Sequence, residues 1–167
     1  MTPRLEIALQ QIETARKYAI PLIDSVPQTD WFRLSAGGVT HVAWQVGHIA
    51  MAQFRLAIDR IRPPQPGDDD LIPPVYFQLF GKDSVPNPDP AAHPPAAEIR
   101  DVFDRVHAQV LKELPLIDDA SLDLPPLKPH RLFNTRIESL YWAARHEMLH
   151  CGQIGLVRRE LGLTPLW

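Results

Sequence analysis

Proline decides where this chain can be helical. It has no amide hydrogen to donate, and its ring clashes with the preceding turn, so helix interiors seldom hold it. Of the 18 prolines in 167 residues, ten fall between residues 63 and 95, together with Gly67-Asp68-Asp69-Asp70. The long stretches on either side carry apolar residues at three- and four-residue steps. Leu5, Ala8, Leu9, Ile12, Ala15, Ala19, Leu22, Ile23 and Val26 predict a first amphipathic helix of about 24 residues, which Pro21 should kink or end early. A second helix should open near Thr40 as N-cap, run through Val42, Trp44, Val46, His48, Ile49 and Phe54 to Ile61, and stop at Pro63-Pro64. A third covers residues 96–117, with Ile99, Val102, Phe103, Val106 and Val110 facing inward. The fourth starts at Asn134 or Thr135, where Thr135-Arg136-Ile137-Glu138 has capping-box spacing, and ends near Gly162.

No segment alternates with period two, and no internal repeat is present. The expected fold is all-α, a four-helix bundle with long crossover loops forming one domain over residues 1–167. Within 63–95, the run Leu71 to Phe80 is too apolar for a free linker. It reads as an ordered crossover lying against the helices, with one short helix of its own.

Composition narrows the function classes. A net charge of −3 and the lack of any Lys/Arg run argue against nucleic acid as a partner. No apolar stretch approaches the roughly 20 residues that span a bilayer, so no membrane partner is expected either. The N-terminus reads as the start of a helix, not as a signal peptide. Cys151 is the single cysteine, which excludes an internal disulfide and favours a reducing, cytoplasmic setting. Bundles of this type often pair through a helix face, so a homodimer is expected.

Chemistry concentrates in Arg145-His146-Glu147-Met148-Leu149-His150-Cys151-Gly152-Gln153-Ile154. His146 and His150 stand one turn apart on one helix face and can reach the same metal ion. The H-E-x-x-H spacing also belongs to zinc proteases, with the Glu as general base. Their extended form needs glycine at 153 and histidine at 156, where this chain has Gln153 and Leu156. Glu160 is too near in the same helix to be a remote ligand, and no strand is available to bind a peptide. A third histidine, His48, instead lies on the apolar face of the second helix, between Val46 and Ile49. Gly47 beside it permits close approach of another backbone. Three neutral imidazoles plus an open position make a catalytic type of site.

Two segments carry a family resemblance. Ala43-Trp44-Gln45-Val46-Gly47-His48-Ile49-Ala50 resembles the second-helix histidine motif of the DinB/YfiT-like superfamily. The stretch from His146 to Ile154, followed by Arg158-Arg159-Glu160-Leu161-Gly162, resembles its last-helix motif. The resemblance implies a helical bundle that binds a divalent metal, zinc or nickel, through His48, His146 and His150. It also implies a metal-dependent transferase that uses a low-molecular-weight thiol as its small-molecule substrate. A metal could hold such a thiol as thiolate for attack on an electrophile. The same open position could instead carry hydroxide in a hydrolase, or belong to a non-catalytic, stress-related metal-binding protein. The long proline-rich crossover and Cys151 depart from the family pattern.

Glu147 and Gln153 are the candidate catalytic helpers. Gln153, three residues after His150, can orient an imidazole or a metal-bound water. Glu147 can take a proton or orient an imidazole, or form an ion pair with Arg145 or Arg55. Cys151 reads as a small buried filler. His41 should cap the second helix, whereas His93, His107 and His130 should be solvated. Trp31, Trp44, Tyr76 and Trp142 read as core, with Tyr76 and Phe77 the best candidates for a substrate-pocket wall.

Overall fold

The computed structural model describes residues 2–167, and among them it is all-helical, with only an isolated bridge between His130 and Phe133 outside helices and turns. Six α-helices occur where four were expected: α1 Pro3–Asp24, α2 Val42–Phe54, α3 Asp68–Leu71, α4 Tyr76–Leu79, α5 Ala96–Glu113 and α6 Arg136–Glu160. The two additional helices, α3 and α4, are single turns within the crossover. Pro21 does not end α1 early, and the helix continues to Asp24. Pro115 does end α5 before residue 117, because the chain tightens there into a 3-10 turn over Leu114–Leu116.

Helix α2 is the middle of the packing. It lies against both α5 and α6, and α1 packs along α6. Every residue of α2 except Trp44 is buried, so any polar side chain it carries must find a partner inside the protein. Beyond Phe54 the helix widens into a π turn over Arg55–Asp59, a form common at functional sites. The Arg55 and Leu56 carbonyls of that turn accept from Arg60 Nη1 (3.1 Å) and Ser139 Oγ (2.7 Å). Thr135 caps α6 with a full capping box through Glu138.

The crossover is held at several points. Arg62 bridges Asp68 (2.8 Å) and Glu113 (2.6 Å), and Arg105 donates to the Leu71 carbonyl (2.9 Å). Ile72, Tyr76 and Phe80 are buried against the helices. Burying side chains of this size contributes about 1.5–3 kcal/mol each, which orders a segment rich in proline but poor in helix. No helix among the described residues is long and apolar enough to cross a membrane.

Candidate metal centre

The site begins at the α2 N-terminus. His41 Nδ1 accepts the Trp44 amide (3.0 Å), capping the helix, and its Nε2 donates to the Asn87 carbonyl in the crossover (3.0 Å). Six residues further, Gly47 leaves the space that Phe80 fills. A Cβ at 47 would stand 2.6–2.7 Å from the Phe80 ring. The close approach forecast for Gly47 is therefore made by a side chain, and its result is that the Phe80 carbonyl reaches His48 Nδ1 (2.6 Å). Trp44 stacks on the His48 ring, with centroids 4.6 Å apart and planes 16° apart. Its indole Nε1 donates to Ser84 Oγ (2.8 Å), which pins the crossover beside the imidazole.

Helix α6 supplies the other two rings. His146 Nε2 lies 3.4 Å from His48 Nε2 and 3.3 Å from His150 Nε2. The partners of the opposite ring nitrogens decide which tautomers are present. A carbonyl can only accept, so His48 Nδ1 carries the proton. Gln45 Nε2 donates to Thr40 Oγ1 (2.8 Å), which leaves Gln45 Oε1 to accept from His150 Nδ1 at 2.6 Å. His48 and His150 thus both direct a bare Nε2 lone pair at the same point, with His146 Nε2 between them.

Lone pairs converging without a proton for each repel one another unless a cation lies among them. The spacing suits one. Ligand nitrogens at about 2.05 Å around tetrahedral zinc stand about 3.3 Å apart along each edge, the separation seen here. Burial lowers all three imidazole pKa values, that of His146 to about 4 and that of His150 to about 3. The rings are neutral at pH 7, as metal ligation requires. Among the described residues this is the cluster of His, Cys, Asp or Glu whose ligand atoms come close enough together to hold a metal ion.

The sequence profile of the DinB superfamily matches residues 11–154. The chain belongs to the DinB superfamily. That match spans all three histidines and every helix from α2 to α5, with most of α1 and α6. Among curated proteins no significant match to this DinB-superfamily chain is found.

A cavity of about 810 Å³ opens beside the imidazoles and is walled by His48 and His146, by Phe77 and Trp142, and by Arg55 of the π turn and Arg60 just after it. Phe77, expected to wall a substrate pocket, lines this cavity. Tyr76 does not, because its ring is wholly buried in the core. The structure does not bring Glu147 to this cavity. The residue is turned into the interior, where its Oε1 accepts from Arg16 Nε (2.8 Å), both side chains being 3 % exposed or less. The ion pair anticipated for Glu147 exists, but with Arg16 instead of Arg145 or Arg55. Arg16 also donates to the Phe103 carbonyl (2.7 Å) and to Gln53 Oε1 (2.9 Å). Burial pushes the Glu147 carboxyl pKa up and the Arg16 guanidinium down, and each charge pulls its partner back.

Gln153 is exposed beside His150, and its side chain slightly raises that ring's pKa. The short bond to His150 Nδ1 belongs to Gln45, which the sequence reading did not single out. The available signal was its place three residues before His48, one turn away on α2. Cys151 is buried, with its thiol pushed up to about 12 chiefly by burial, so it is an inert filler. His93, His107 and His130 are half-buried, not solvated. His93 donates to the Asn87 carbonyl (2.8 Å), His107 Nδ1 accepts from Gln53 Nε2 (3.2 Å), and His130 stacks on Phe133.

Proposed function

We propose that this DinB-superfamily chain is an enzyme that binds one divalent metal ion, zinc or nickel, through His48, His146 and His150. Its substrate is a small molecule held in the adjoining cavity, and the reaction is transfer of a low-molecular-weight thiol. In this reading α1, α2, α5 and α6 are the four helices of a bundle, and α3 and α4 are insertions in its crossover. The observation that carries the proposal is the convergence of three Nε2 atoms, that of His146 lying 3.4 Å from His48 and 3.3 Å from His150, while the Nδ1 atoms of His48 and His150 are held by dedicated acceptors. Those two edges lie near the tetrahedral value and so fit zinc.

A metal held by three neutral imidazoles lowers the pKa of a thiol or water at its open position. The chain's own part is to fix the rings and shape the approach. Phe80 and Gln45 hold two imidazoles in one tautomer, as outer partners of metal ligands do. Trp44 covers one face of His48, and Phe77 and Trp142 give the cavity apolar walls. Glu147, the carboxylate within the histidine motif, is engaged by Arg16 in the interior, so it would supply a general base to neither reaction. Thiol transfer is preferred to hydrolysis on the family resemblance of the two histidine motifs.

Elemental mass spectrometry of tag-free protein tests the metal. Wild type should carry about one ion per chain, the stoichiometry of a single three-histidine centre, and His48→Ala should carry none. Metal retained without His48 would move the third ligand elsewhere. Adding a small thiol to cobalt-substituted protein should then bring in a sulfur-to-cobalt charge-transfer band. A spectrum indifferent to thiols would exclude the transfer reaction.

A further inference from the structure

Five of the thirteen arginines in this chain meet carboxylates. Arg4 meets Asp119 and Asp123, Arg16 meets Glu147, Arg62 meets Asp68 and Glu113, Arg100 meets Asp24 and Asp104, and Arg105 meets Asp101. The cavity beside the histidines is different. Arg55 and Arg60 line it half-buried, and neither has an ion-pair partner among the described residues. The Arg55 guanidinium lies over the Phe77 ring, 4.8 Å from its centroid, which holds it on the cavity wall. Arg60 spends one nitrogen on the Arg55 carbonyl, while its Nε is buried with no acceptor at all.

The nearby acids are already engaged or exposed. Asp59 is bound by Lys128, with both oxygens at 2.7 Å. Asp83, the only carboxylate on the cavity wall, is exposed and lies 4.0 Å from Lys82. Arg131 and Lys82 add two more positive charges at the rim. These groups feel one another. Burial is the main cause that lowers the Arg60 guanidinium, and the Arg55 charge adds to it against the pull of Asp59. A cluster of like charges in a chain of net charge −3, with a buried guanidinium N–H unmet, is a site whose counter-charge arrives from outside.

We infer that the cavity takes a small molecule bearing an anionic oxygen group, carboxylate or phosphate, held by Arg55 and Arg60 while its other end reaches His48 and His146. The planar forks of guanidinium groups match the oxygens of either anion. Arg131 and Lys82 at the mouth raise the local concentration of such a ligand before it is seated. The inference rests on the proposed function for the reacting end, whereas the anion subsite is a property of the arginines with or without metal.

The test compares two thiols of equal size, 3-mercaptopropionate and its neutral amide 3-mercaptopropionamide, titrated into metal-loaded and metal-stripped protein. Binding is followed through the arginine Nε–H resonances, with inorganic phosphate as competitor. The carboxylate should bind about tenfold or more tightly than the amide in both forms, as charge-assisted pairing to a guanidinium fork requires. Arg55→Gln and Arg60→Gln should each reduce that ratio. Arg131→Gln, at an exposed position where folding is not at stake, should reduce it less and steepen no other effect. Phosphate that displaces the thiol at lower concentration than added carboxylate identifies a phosphate ligand, and the reverse order a carboxylate.

Equal binding of acid and amide, or a preference that survives Arg55→Gln with Arg60→Gln, overturns the inference. The metal reading fails separately. Protein that takes up no metal yet keeps the acid preference loses the proposed function and retains the anion subsite.

Discussion

Two polar clusters start from adjacent residues of α6 and face different ways. Glu147 points into the interior, where Arg16, Gln53 and His107 complete a network joining α1, α2, α5 and α6. His146 points toward α2 and the cavity. The two clusters share burial and residue types, yet their accounts of protons and lone pairs differ. In the first, the Arg16 fork spreads over a carboxylate, a carbonyl and an amide oxygen, so each of its three nitrogens meets an acceptor. In the second, the Nδ1 atoms of His48 and His150 are satisfied and the Nε2 atoms face one another. A buried cluster that is complete as it stands is there to hold helices together. One that is complete only on its outer side is waiting for something at its centre.

The largest test of this division removes a member of the complete cluster. Arg16→Met leaves the Glu147 carboxylate buried without its partner, which should cost about 3–5 kcal/mol of stability. Denaturant unfolding of the variant should show that loss at pH 7. The fraction that remains folded should still take up metal, because neither Arg16 nor Glu147 reaches the imidazoles. His48→Ala should do the opposite, abolishing metal uptake with little change in the stability of metal-free protein. A variant of either cluster that loses both properties equally would erase the distinction.

The division was only partly legible in the sequence. Helix positions came through because their signals are local: apolar spacing, the Thr135 capping box, and prolines that exclude helix. The three histidines came through because i, i+4 spacing on one helix and an apolar face on another are also local facts. Partners were not legible. Glu147 and Arg16 are 131 residues apart, and no local pattern marks an arginine on the first helix as the one that will be buried. The acceptor for His48 is a backbone carbonyl of Phe80, an atom every residue possesses. His107 looked like one more polar residue on a charged helix, and only the packing of α2 against α5 makes it half-buried. The π turn left no trace either, since Arg55 to Asp59 reads as ordinary continuation of α2.

A smaller effect separates an outer partner from a ligand. Gln45→Leu keeps the volume of the side chain and removes the acceptor for His150 Nδ1. Metal affinity should fall about 10–100-fold, the usual consequence of losing such a partner, while stoichiometry at saturating metal stays at that of wild type. Competition against a chelator of known affinity measures the change. Gln153→Leu, altering an exposed residue at the edge, should move affinity much less. The reverse order would make Gln153 the orienting group and Gln45 a packing residue.

The smallest test uses pH to read the complete cluster alone. Burial lowers the folded-state pKa of His107 to about 3, against about 6.5 in the unfolded chain. Between those values the unfolded chain holds a proton that the folded protein does not. Stability from this residue is therefore present above about pH 6.5 and lost as pH falls toward 3, at about 1.4 kcal/mol per pH unit. His107→Gln, whose amide oxygen can still accept from Gln53, should flatten the acid limb of a stability–pH curve by about one proton. Because His107 lies on the side of α6 away from the cavity, that flattening should be the same with metal bound and with metal removed. His150→Gln should change the limb by an amount that depends on metal, since there protons and metal compete for the same nitrogen. A metal-dependent effect at His107 would mean that the two clusters titrate as one, and that α6 transmits between its faces what its hydrogen bonds keep apart.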